Sequence, residues 1–392
     1  MIERSIYFEL FTHLSKKQVT IITGMRRAGK TTAIKYLMNK ISSENKIYFD
    51  LEKVENRFIF QQPSYTDIEI SLKIEGIDFN RKAYIALDEI QLVPEIISII
   101  KYFYDHYNIK FILSGSSSFY LKNHFSESLA GRKRIFEISP FSFREYLTLK
   151  GESTKHFNDS GFNKFNPAFY HKYKEYYYEY LVFGGFPEVV LADEQRDKIE
   201  YLKDIINSYI ELDVKLLSDF SKSTDLYKLI RLLSGRVGSK TDYSKISTVL
   251  GINRHKVRDY IEFLEYTYFI TRLPAYAKTP DREISKQHKI YFSDTGLMYA
   301  LGNTDMSQLL ENAIANQLNN YGYLQYYEKK SGQEIDFILN GNTAFEVKES
   351  PSAGDLNTLQ RRTKALDINT YHLIGLHPPV SGFTDFIWAG NI

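Results

Sequence analysis

One short stretch near the start of the chain decides the fold. It reads Gly24-Met25-Arg26-Arg27-Ala28-Gly29-Lys30-Thr31, the pattern GxxxxGK[ST]. The apolar run 19–22 (VTII) precedes it and predicts a strand, and residues 31–38 predict a helix. A glycine-rich loop between a strand and a helix is the context in which this pattern binds phosphate. We therefore expect a phosphate-binding loop here.

The residue types in this loop suit phosphate chemistry. Gly24 and Gly29 allow the backbone to approach phosphate oxygens closely, and the loop amides supply partial positive charge. Lys30 would reach the β- and γ-phosphates, and the Thr31 hydroxyl would hold Mg²⁺. We expect ATP and Mg²⁺ as cofactors, with ATP held by the loop and by Thr32 behind it.

Further strand patterns follow the loop and alternate with helical ones. Strands are predicted at 46–50, 83–87 and 110–113, and a helix is predicted at 96–107. Such alternation predicts an α/β fold with a parallel, doubly wound sheet. We predict four segments: a P-loop ATPase core over 1–146, a linker and helical lid over 147–225, a winged helix-turn-helix over 226–290 and a small α/β domain over 291–392.

The strand 85–87 ends in two acidic residues, Asp88 and Glu89. Two acids at a strand end are often only a solvated cap, but behind a phosphate loop they form a Walker B element. Asp88 would bind the metal ion, and Glu89 would polarise the attacking water.

Two further residues are candidates for the hydrolytic site. Ser114 ends the fourth predicted strand, where open α/β sheets bind ligands, so its hydroxyl would contact the γ-phosphate or the water. Arg132 offers a guanidinium for transition-state charge, in its own subunit or in trans within a homo-oligomer. The alternatives are a simple turn at Ser114 and a surface arginine at Arg132, with Arg26 and Arg27 as rival arginines.

Composition narrows the class of protein. The chain has 392 residues, with 50 Lys plus Arg, 48 Asp plus Glu and a formal net charge of +2. It is no polycation, so a nucleic-acid surface would be a local patch. The absence of Cys excludes disulfides, thiolate zinc sites and cysteine nucleophiles, and fits a reducing cytoplasm, where we expect the protein. No apolar run approaches about 18 residues, so no membrane span is expected.

The motifs above occur together with others in a fixed order. The full set is 24–32, Leu87-Asp88-Glu89-Ile90-Gln91, Leu113-Ser114-Gly115-Ser116-Ser117, Leu129-Ala130-Gly131-Arg132, 140–146 (PFSFREY) and Gly184-Gly185-Phe186-Pro187-Glu188. In this combination the chain resembles the prokaryotic AAA-type ATPase family whose core is followed by a C-terminal domain of unknown function. The resemblance implies an AAA-like core, with sensor 1 near Ser114, where Thr is commoner, and Arg132 as a finger or sensor.

A helix-turn-helix pattern occupies the third segment. Helical patterns at 243–250 and from 253 to about 263 are separated by Gly251, and a strand pattern follows at 268–273. Arg254, Lys256 and Arg258 cluster at the start of the second helix, where this motif contacts DNA. A winged helix can equally serve as a lid or a protein-docking module.

The last segment contains an acidic hairpin. Runs 334–339 and 343–348 alternate in polarity and flank Asn340-Gly341-Asn342, so a turn centred on Gly341 would place Asp336 opposite Glu346. Asp336 followed by Glu346-Val347-Lys348 resembles the D…ExK signature of restriction-endonuclease-like nucleases, with Glu311 as the helix acid. The resemblance implies a metal-dependent site formed by Glu311, Asp336, Glu346 and Lys348. The alternative is an amphipathic hairpin with a solvated charged face.

The sequence therefore predicts an ATPase whose nucleotide state controls access of DNA to the C-terminal domain. One alternative is an NTP-gated switch that docks a protein partner and carries an inert C-terminal domain. The other is an ATP-dependent DNA-binding regulator that acts through its winged helix.

Overall fold

The computed structural model describes residues 4–115, 129, 131–155, 157, 162–213, 223–277, 279–302, 304–329 and 332–392. These residues form two compact units, Met1–Pro140 with Tyr266–Tyr268, and Phe141–Glu265 with Phe269–Ile392. The domain divisions predicted at residues 146, 225 and 290 stay predictions. Ser116, Ser117 and Ala130 lie outside the described residues.

The first unit is built on a parallel sheet. Its elements are α1 (Ser5–His13), β1 (Val19–Thr23), α2 (Lys30–Lys40), β2 (Lys46–Asp50), α3 (Val54–Phe60), α4 (Tyr65–Ile74), β3 (Ala83–Asp88), α5 (Ile96–His106), β4 (Ile109–Gly115) and β5 (Lys133–Glu137). The strand order is β2-β3-β4-β1-β5, and every neighbouring pair is parallel. The α/β class and the four predicted strands are confirmed.

Helices cover both faces of this sheet, so its central strands are apolar on both sides. Ile21 and Ile85 face the cluster that contains residues of α5, whereas the next residues, Ile22 and Ala86, face the cluster that contains α2. This alternation follows from the two-residue repeat of a strand. Because the strands are parallel, all their carboxyl ends meet at one edge, which is where the phosphate loop leaves β1.

The remaining elements belong to the second unit, apart from Tyr266, the last residue of α12, which is grouped with the first unit. The helices are α6 (Phe143–Leu149), α7 (Pro167–Phe183), α8 (Pro187–Leu191), α9 (Gln195–Ser208), α10 (Ser223–Ser234), α11 (Tyr243–Leu250), α12 (Arg254–Tyr266), α13 (Pro280–Ser285), α14 (Thr295–Leu301), α15 (Met306–Asn319) and α16 (Ala353–Lys364). The strands are β6 (Ile270–Leu273), β7 (Lys289–Phe292), β8 (Leu324–Glu328), β9 (Glu334–Leu339), β10 (Thr343–Lys348), β11 (Thr370–Gly375) and β12 (Ile387–Trp388).

Two sheets organise these strands. β6 and β7 form an antiparallel pair, and the other five form a sheet in the order β12-β11-β10-β9-β8. The predicted hairpin register is confirmed, because Phe345 lies opposite Phe337 and Ala344 opposite Ile338. Asn340 and Gly341 both have positive φ, as a tight hairpin turn requires. Within the described part of the chain, none of the helices has the length and apolar character needed to cross a bilayer.

A buried carboxylate joins two helix ends in the second unit. Asp294 caps α14, and its carboxylate accepts hydrogen bonds from the amides of Gly185 (2.7 Å) and Gly296 (2.9 Å). A Cβ added to Gly184 would lie 1.9 Å from Asp294 Oδ1. The glycine pair after α7 therefore does more than end a helix, because it leaves room for the carboxylate that holds α14 in place.

We predict that Gly184→Ala destabilises the second unit far more than Gly302→Ala does. The two glycines share a backbone conformation open to few residues, with φ of 73° and 75°, but no atom lies within 4 Å of a Cβ at Gly302. Gly302→Ala should cost about 1–3 kcal/mol of unfolding free energy from backbone strain alone. Gly184→Ala should cost at least about 2 kcal/mol more, because Asp294 must move. Urea unfolding measures both, and equal losses would contradict this account of the motif.

Candidate nucleotide site

Backbone contacts, more than side chains, fix the shape of the phosphate loop. Gly24 has a φ of 138°, and a Cβ at this position would lie 2.1 Å from the carbonyl oxygen of Ile138. Gly29 has a φ of 101° and precedes the first residue of α2. Both glycines are required, one by a close approach of two chain segments and the other by a left-handed backbone.

A buried arginine outside the loop anchors it. The guanidinium of Arg4 donates a hydrogen bond to the carbonyl oxygen of Ala28 (2.9 Å) and another to that of Ser139 (2.7 Å). Only 8% of Arg4 is exposed. It thereby ties the loop to the segment that follows β5. Sequence reasoning missed Arg4, because its contacts join residues far apart in the chain.

Lys30 lies inside the loop, where the phosphate pattern requires a cation. Its ammonium donates to the carbonyl oxygens of Gly24 (3.1 Å) and Met25 (3.0 Å), and the residue is 4% exposed. Phosphate oxygens are stronger acceptors for an ammonium than neutral carbonyls. Gly29 offers no side chain to cap α2, and the first amides of a helix have no partner within it. A phosphate bound at this end of α2 would therefore interact with the Lys30 ammonium and with the first backbone amides of the helix.

The other residues of the loop differ in how far their side chains are exposed to solvent. Met25 and Ala28 are buried in the first unit, Arg26 and Thr31 are half-buried, and Arg27 is exposed, as is Thr32. Arg27 adopts a positive φ of 62°, which is uncommon for a residue with a side chain. The half-buried Thr31 keeps its hydroxyl at the first turn of α2, as the predicted metal contact requires.

Asp88 is held rigidly at the end of β3. Its Oδ2 accepts a hydrogen bond from the Tyr48 hydroxyl (2.9 Å), and its Oδ1 accepts one from the Ser114 hydroxyl. Only 2% of Asp88 is exposed. Burial, and then the negative charge of Asp88, raise the pKa of Tyr48 well above its usual range, so this hydroxyl stays a donor. Tyr48 was not predicted, because its pairing with Asp88 depends on strand order.

Ser114 also contacts Glu89. The Ser114 hydroxyl accepts a hydrogen bond from the Glu89 amide (3.3 Å), and Ser114 is fully buried. The hydroxyl therefore contacts the carboxylate of Asp88 and the backbone of Glu89. A positioning role fits these contacts, and the expected contact of Ser114 with phosphate or water stays a prediction.

Negative charge accumulates at the carboxyl ends of β2 and β3. Burial, and then the charges of Glu89 and Asp50, raise the pKa of Glu52, whereas Arg26 lowers it. The carboxylate of Glu89 accepts a hydrogen bond from the side-chain Nε2 of Gln91. These oxygen donors, with the Thr31 hydroxyl, fit a hard cation such as Mg²⁺, and a carboxylate that accepts two hydrogen bonds still has lone pairs for a metal.

Arg132 does not belong to the loop of its own chain. Its carbonyl oxygen accepts a hydrogen bond from the amide of Val19, the first residue of β1, whereas the loop follows the last residue, Thr23. Four residues of strand separate these ends by about 13 Å. The guanidinium instead forms an ion pair with Asp105 (3.2 Å). These contacts do not favour a catalytic role for Arg132 within its own subunit, and its role, in its own subunit or in trans, stays a prediction.

The three cations expected to contact DNA have different surroundings. Arg254 and Arg258 are exposed on the first turns of α12. Lys256 is partly buried, forms an ion pair with Asp225 (3.3 Å) and lies over the Tyr260 ring. Lys256 thus supports the packing of α12 on α10, whereas the two arginines are the exposed cations of the predicted patch, with the Arg258 guanidinium over the Tyr243 ring.

The other three residues of the expected nuclease-like site, Glu311, Glu346 and Lys348, do lie near Asp336. The charge of Asp336, after burial itself, raises the pKa of Glu311 and of Glu346, and it also acts on Lys348. However, no three acidic or histidine side chains among the described residues are arranged to hold a metal ion. Three other residues contact these acids and were not predicted: Lys289 and Tyr291 contact Glu311, and Arg362 contacts Glu346.

This chain is similar in sequence to two described domain families and to several known proteins. Residues 16–147 match a family described as AAA domain, and residues 174–308 match a domain of unknown function. An uncharacterized protein of Haemophilus influenzae is 27% identical over 376 residues, which cover 91% of this chain and 90% of that protein. An uncharacterized protein of Methanocaldococcus jannaschii is 25% identical over 393 residues, with coverages of 95% and 84%.

Solved structures resemble it more distantly. The Walker-type ATPase of Pyrococcus abyssi has a TM-score of 0.47 and 15% identity, and the match covers 77% of this chain and 96% of that one. The Orc1 protein of Aeropyrum pernix, solved in complex with DNA, has a TM-score of 0.34 and 12% identity, with coverages of 77% and 92%. The loop geometry and the AAA domain match support an AAA-type P-loop ATPase core.

We predict that Ser114→Ala lowers the turnover number for ATP about tenfold to a hundredfold and leaves ATP affinity within about threefold. The reason is that Asp88 and Glu89 lose their shared hydroxyl while the loop is untouched. Ser98→Ala, on α5, is the control. Steady-state kinetics and equilibrium nucleotide binding measure the two effects. An equal loss in affinity, with turnover of bound ATP unchanged, would assign Ser114 to binding.

Proposed function

We propose that the first unit binds and hydrolyses ATP with Mg²⁺, and that this cycle is coupled to DNA binding and processing by the second unit. The observation that carries the ATPase part is the arrangement around Asp88. A buried carboxylate is oriented by Tyr48 and Ser114 at the sheet edge from which the Lys30 loop also emerges.

In this proposal each group has a separate task. The loop amides and Lys30 bind the phosphates, and Thr31 with Asp88 would hold Mg²⁺. Glu89 would orient the attacking water. Bound Mg²⁺ would neutralise charge on the phosphates. Ser114 and Tyr48 keep the acids in place throughout.

The DNA part of the proposal depends on α10, α11 and α12, followed by the antiparallel pair β6 and β7. This order of elements supports the predicted winged helix-turn-helix. The two exposed arginines of α12, Arg254 and Arg258, lie where phosphate and base contacts would form. Lys256 contributes less, because Asp225 already neutralises it. We expect DNA to bind at the exposed side of the first turns of α12.

A second candidate function is an NTP-gated switch with an inert C-terminal domain. It is favoured by the pairing of charges around Asp336. The Glu346 carboxylate accepts hydrogen bonds from Lys348 (2.9 Å) and Arg362 (3.3 Å), so it is already neutralised. Nuclease activity at this site would require these pairs to open, whereas ATP-dependent binding of DNA or protein would not.

Neutralising the two arginines tests the DNA part. We predict that the double variant Arg254→Ala, Arg258→Ala binds duplex DNA at least about tenfold more weakly, with a salt dependence of log K reduced by about 2. The control is Arg196→Ala with Lys203→Ala, because both side chains are exposed cations on α9. Fluorescence anisotropy, in ATP and in ADP, measures affinity and its coupling to nucleotide.

The outcomes separate the candidates. Loss of affinity in the α12 variant alone, with different affinities in ATP and ADP, supports the proposal. An equal loss in both variants would mean that binding is non-specific. DNA affinity that is independent of nucleotide would favour the switch that docks a protein partner.

A further inference from the structure

Lys289, on β7, lies inside the carboxylate cluster of the C-terminal sheet. Its ammonium forms an ion pair with Glu334 and lies 3.7 Å from Glu311 Oε1. Its side chain is only 4% exposed, which is unusual for a lysine. Burial favours the neutral amine, but the charges of Glu311, Asp336 and Glu334 raise the pKa of Lys289 above its usual value. The ammonium is therefore the buried form.

The other members of the cluster already have partners of their own. Asp336 Oδ2 accepts a hydrogen bond from the Val347 amide (2.8 Å), and Glu311 accepts one from the Tyr291 hydroxyl (2.7 Å). Glu346 pairs with Lys348 and Arg362. Four carboxylates thus share three cationic side chains. A divalent ion would have to compete with these three cations for the carboxylate oxygens.

The cluster is also covered on the side of Glu311. A Cβ added to Gly238, between α10 and α11, would lie 2.6 Å from Glu311 Oε1. The Gly238 amide donates to the carbonyl oxygen of Ile290 in β7 (3.3 Å). Lys289 and Tyr291 flank Ile290 and point into the cluster. The turn at Gly238 and strand β7 therefore cover Glu311 together.

We infer that the Lys289 ammonium, and not a divalent metal ion, is the resident counter-ion of the Asp336 cluster, and that this charge fastens β7 to the C-terminal sheet. The residues of the D…ExK pattern thus form a polar core that positions β7 beside β9. This inference concerns the second unit alone and does not depend on ATP turnover. If the cluster holds no metal ion, the C-terminal domain is inert as a nuclease, as the NTP-gated switch requires.

The first test is cation binding to the full chain without nucleotide. Mn²⁺ is the probe, and electron paramagnetic resonance of free Mn²⁺ measures how much is bound. We expect that wild type and Asp336→Asn bind the same amount, because the cluster takes no metal. A Mn²⁺ site in wild type that Asp336→Asn removes would overturn the inference.

The second test concerns the charge of Lys289. Lys289→Met should lower the unfolding temperature of the second unit by roughly 10 °C, because buried carboxylates lose their partner. Lys289→Arg should retain most of the stability. The control is Lys240→Met, which removes a more exposed cation whose backbone forms a bridge with Lys289 and whose ammonium pairs with Glu328 at 2.8 Å.

A double variant separates charge from packing. Glu311→Gln removes one negative charge, so Lys289→Met combined with Glu311→Gln should be more stable than Lys289→Met alone by several degrees. If Lys289 acted only through its bulk, the two losses would add. Additive losses, or a Lys289→Met variant as stable as Lys240→Met, would overturn the inference. If Lys289→Met fails to fold, the Mn²⁺ measurement and Lys289→Arg still decide it.

Discussion

The close approach of Gly24 to the backbone of Ile138 is the constraint on which the nucleotide site depends. It brings the start of the loop against the segment that follows β5, and Arg4 closes the same junction by bridging Ala28 and Ser139. With both ends fixed, the loop turns its backbone toward the N-terminus of α2 and encloses the Lys30 ammonium. The site is therefore preorganised for an anion by packing that lies behind it.

The two units use strand-end carboxylates in contrasting ways. In the first unit, Asp88 accepts hydrogen bonds from two neutral hydroxyls, and the nearby acids raise the pKa of Glu52. This arrangement leaves negative charge for a cation to neutralise. In the second unit, Lys289 and Arg362 supply that positive charge from within the chain. In the part of the chain that the structure describes, acidic residues are thus left without an internal counter-ion in the first unit's Walker B region, as the proposed metal site requires, and are neutralised by internal cations in the second unit.

Local patterns accounted for what the sequence could predict. A few consecutive residues are enough to encode each feature that was predicted. These features are the strand, loop and helix around Lys30, the acids at the end of β3 and the register of the β9–β10 hairpin. The partners of those residues were not predictable. Tyr48 reaches Asp88 only because β2 is next to β3, and Lys289 reaches Glu334 only because β7 runs beside the C-terminal sheet. The position of Arg132 likewise depends on β5, an edge strand with a charged sequence and no clear alternation.

Steady-state ATP hydrolysis with Mg²⁺, measured with and without duplex DNA, tests the central claim most directly. Lys30→Ala serves as the blank, and Lys40→Ala, which removes an exposed cation from the same helix, is the matched control. The account predicts turnover that DNA stimulates, that Lys30→Ala abolishes and that Lys40→Ala retains. Equal turnover in wild type and Lys30→Ala would contradict an ATPase site in this loop.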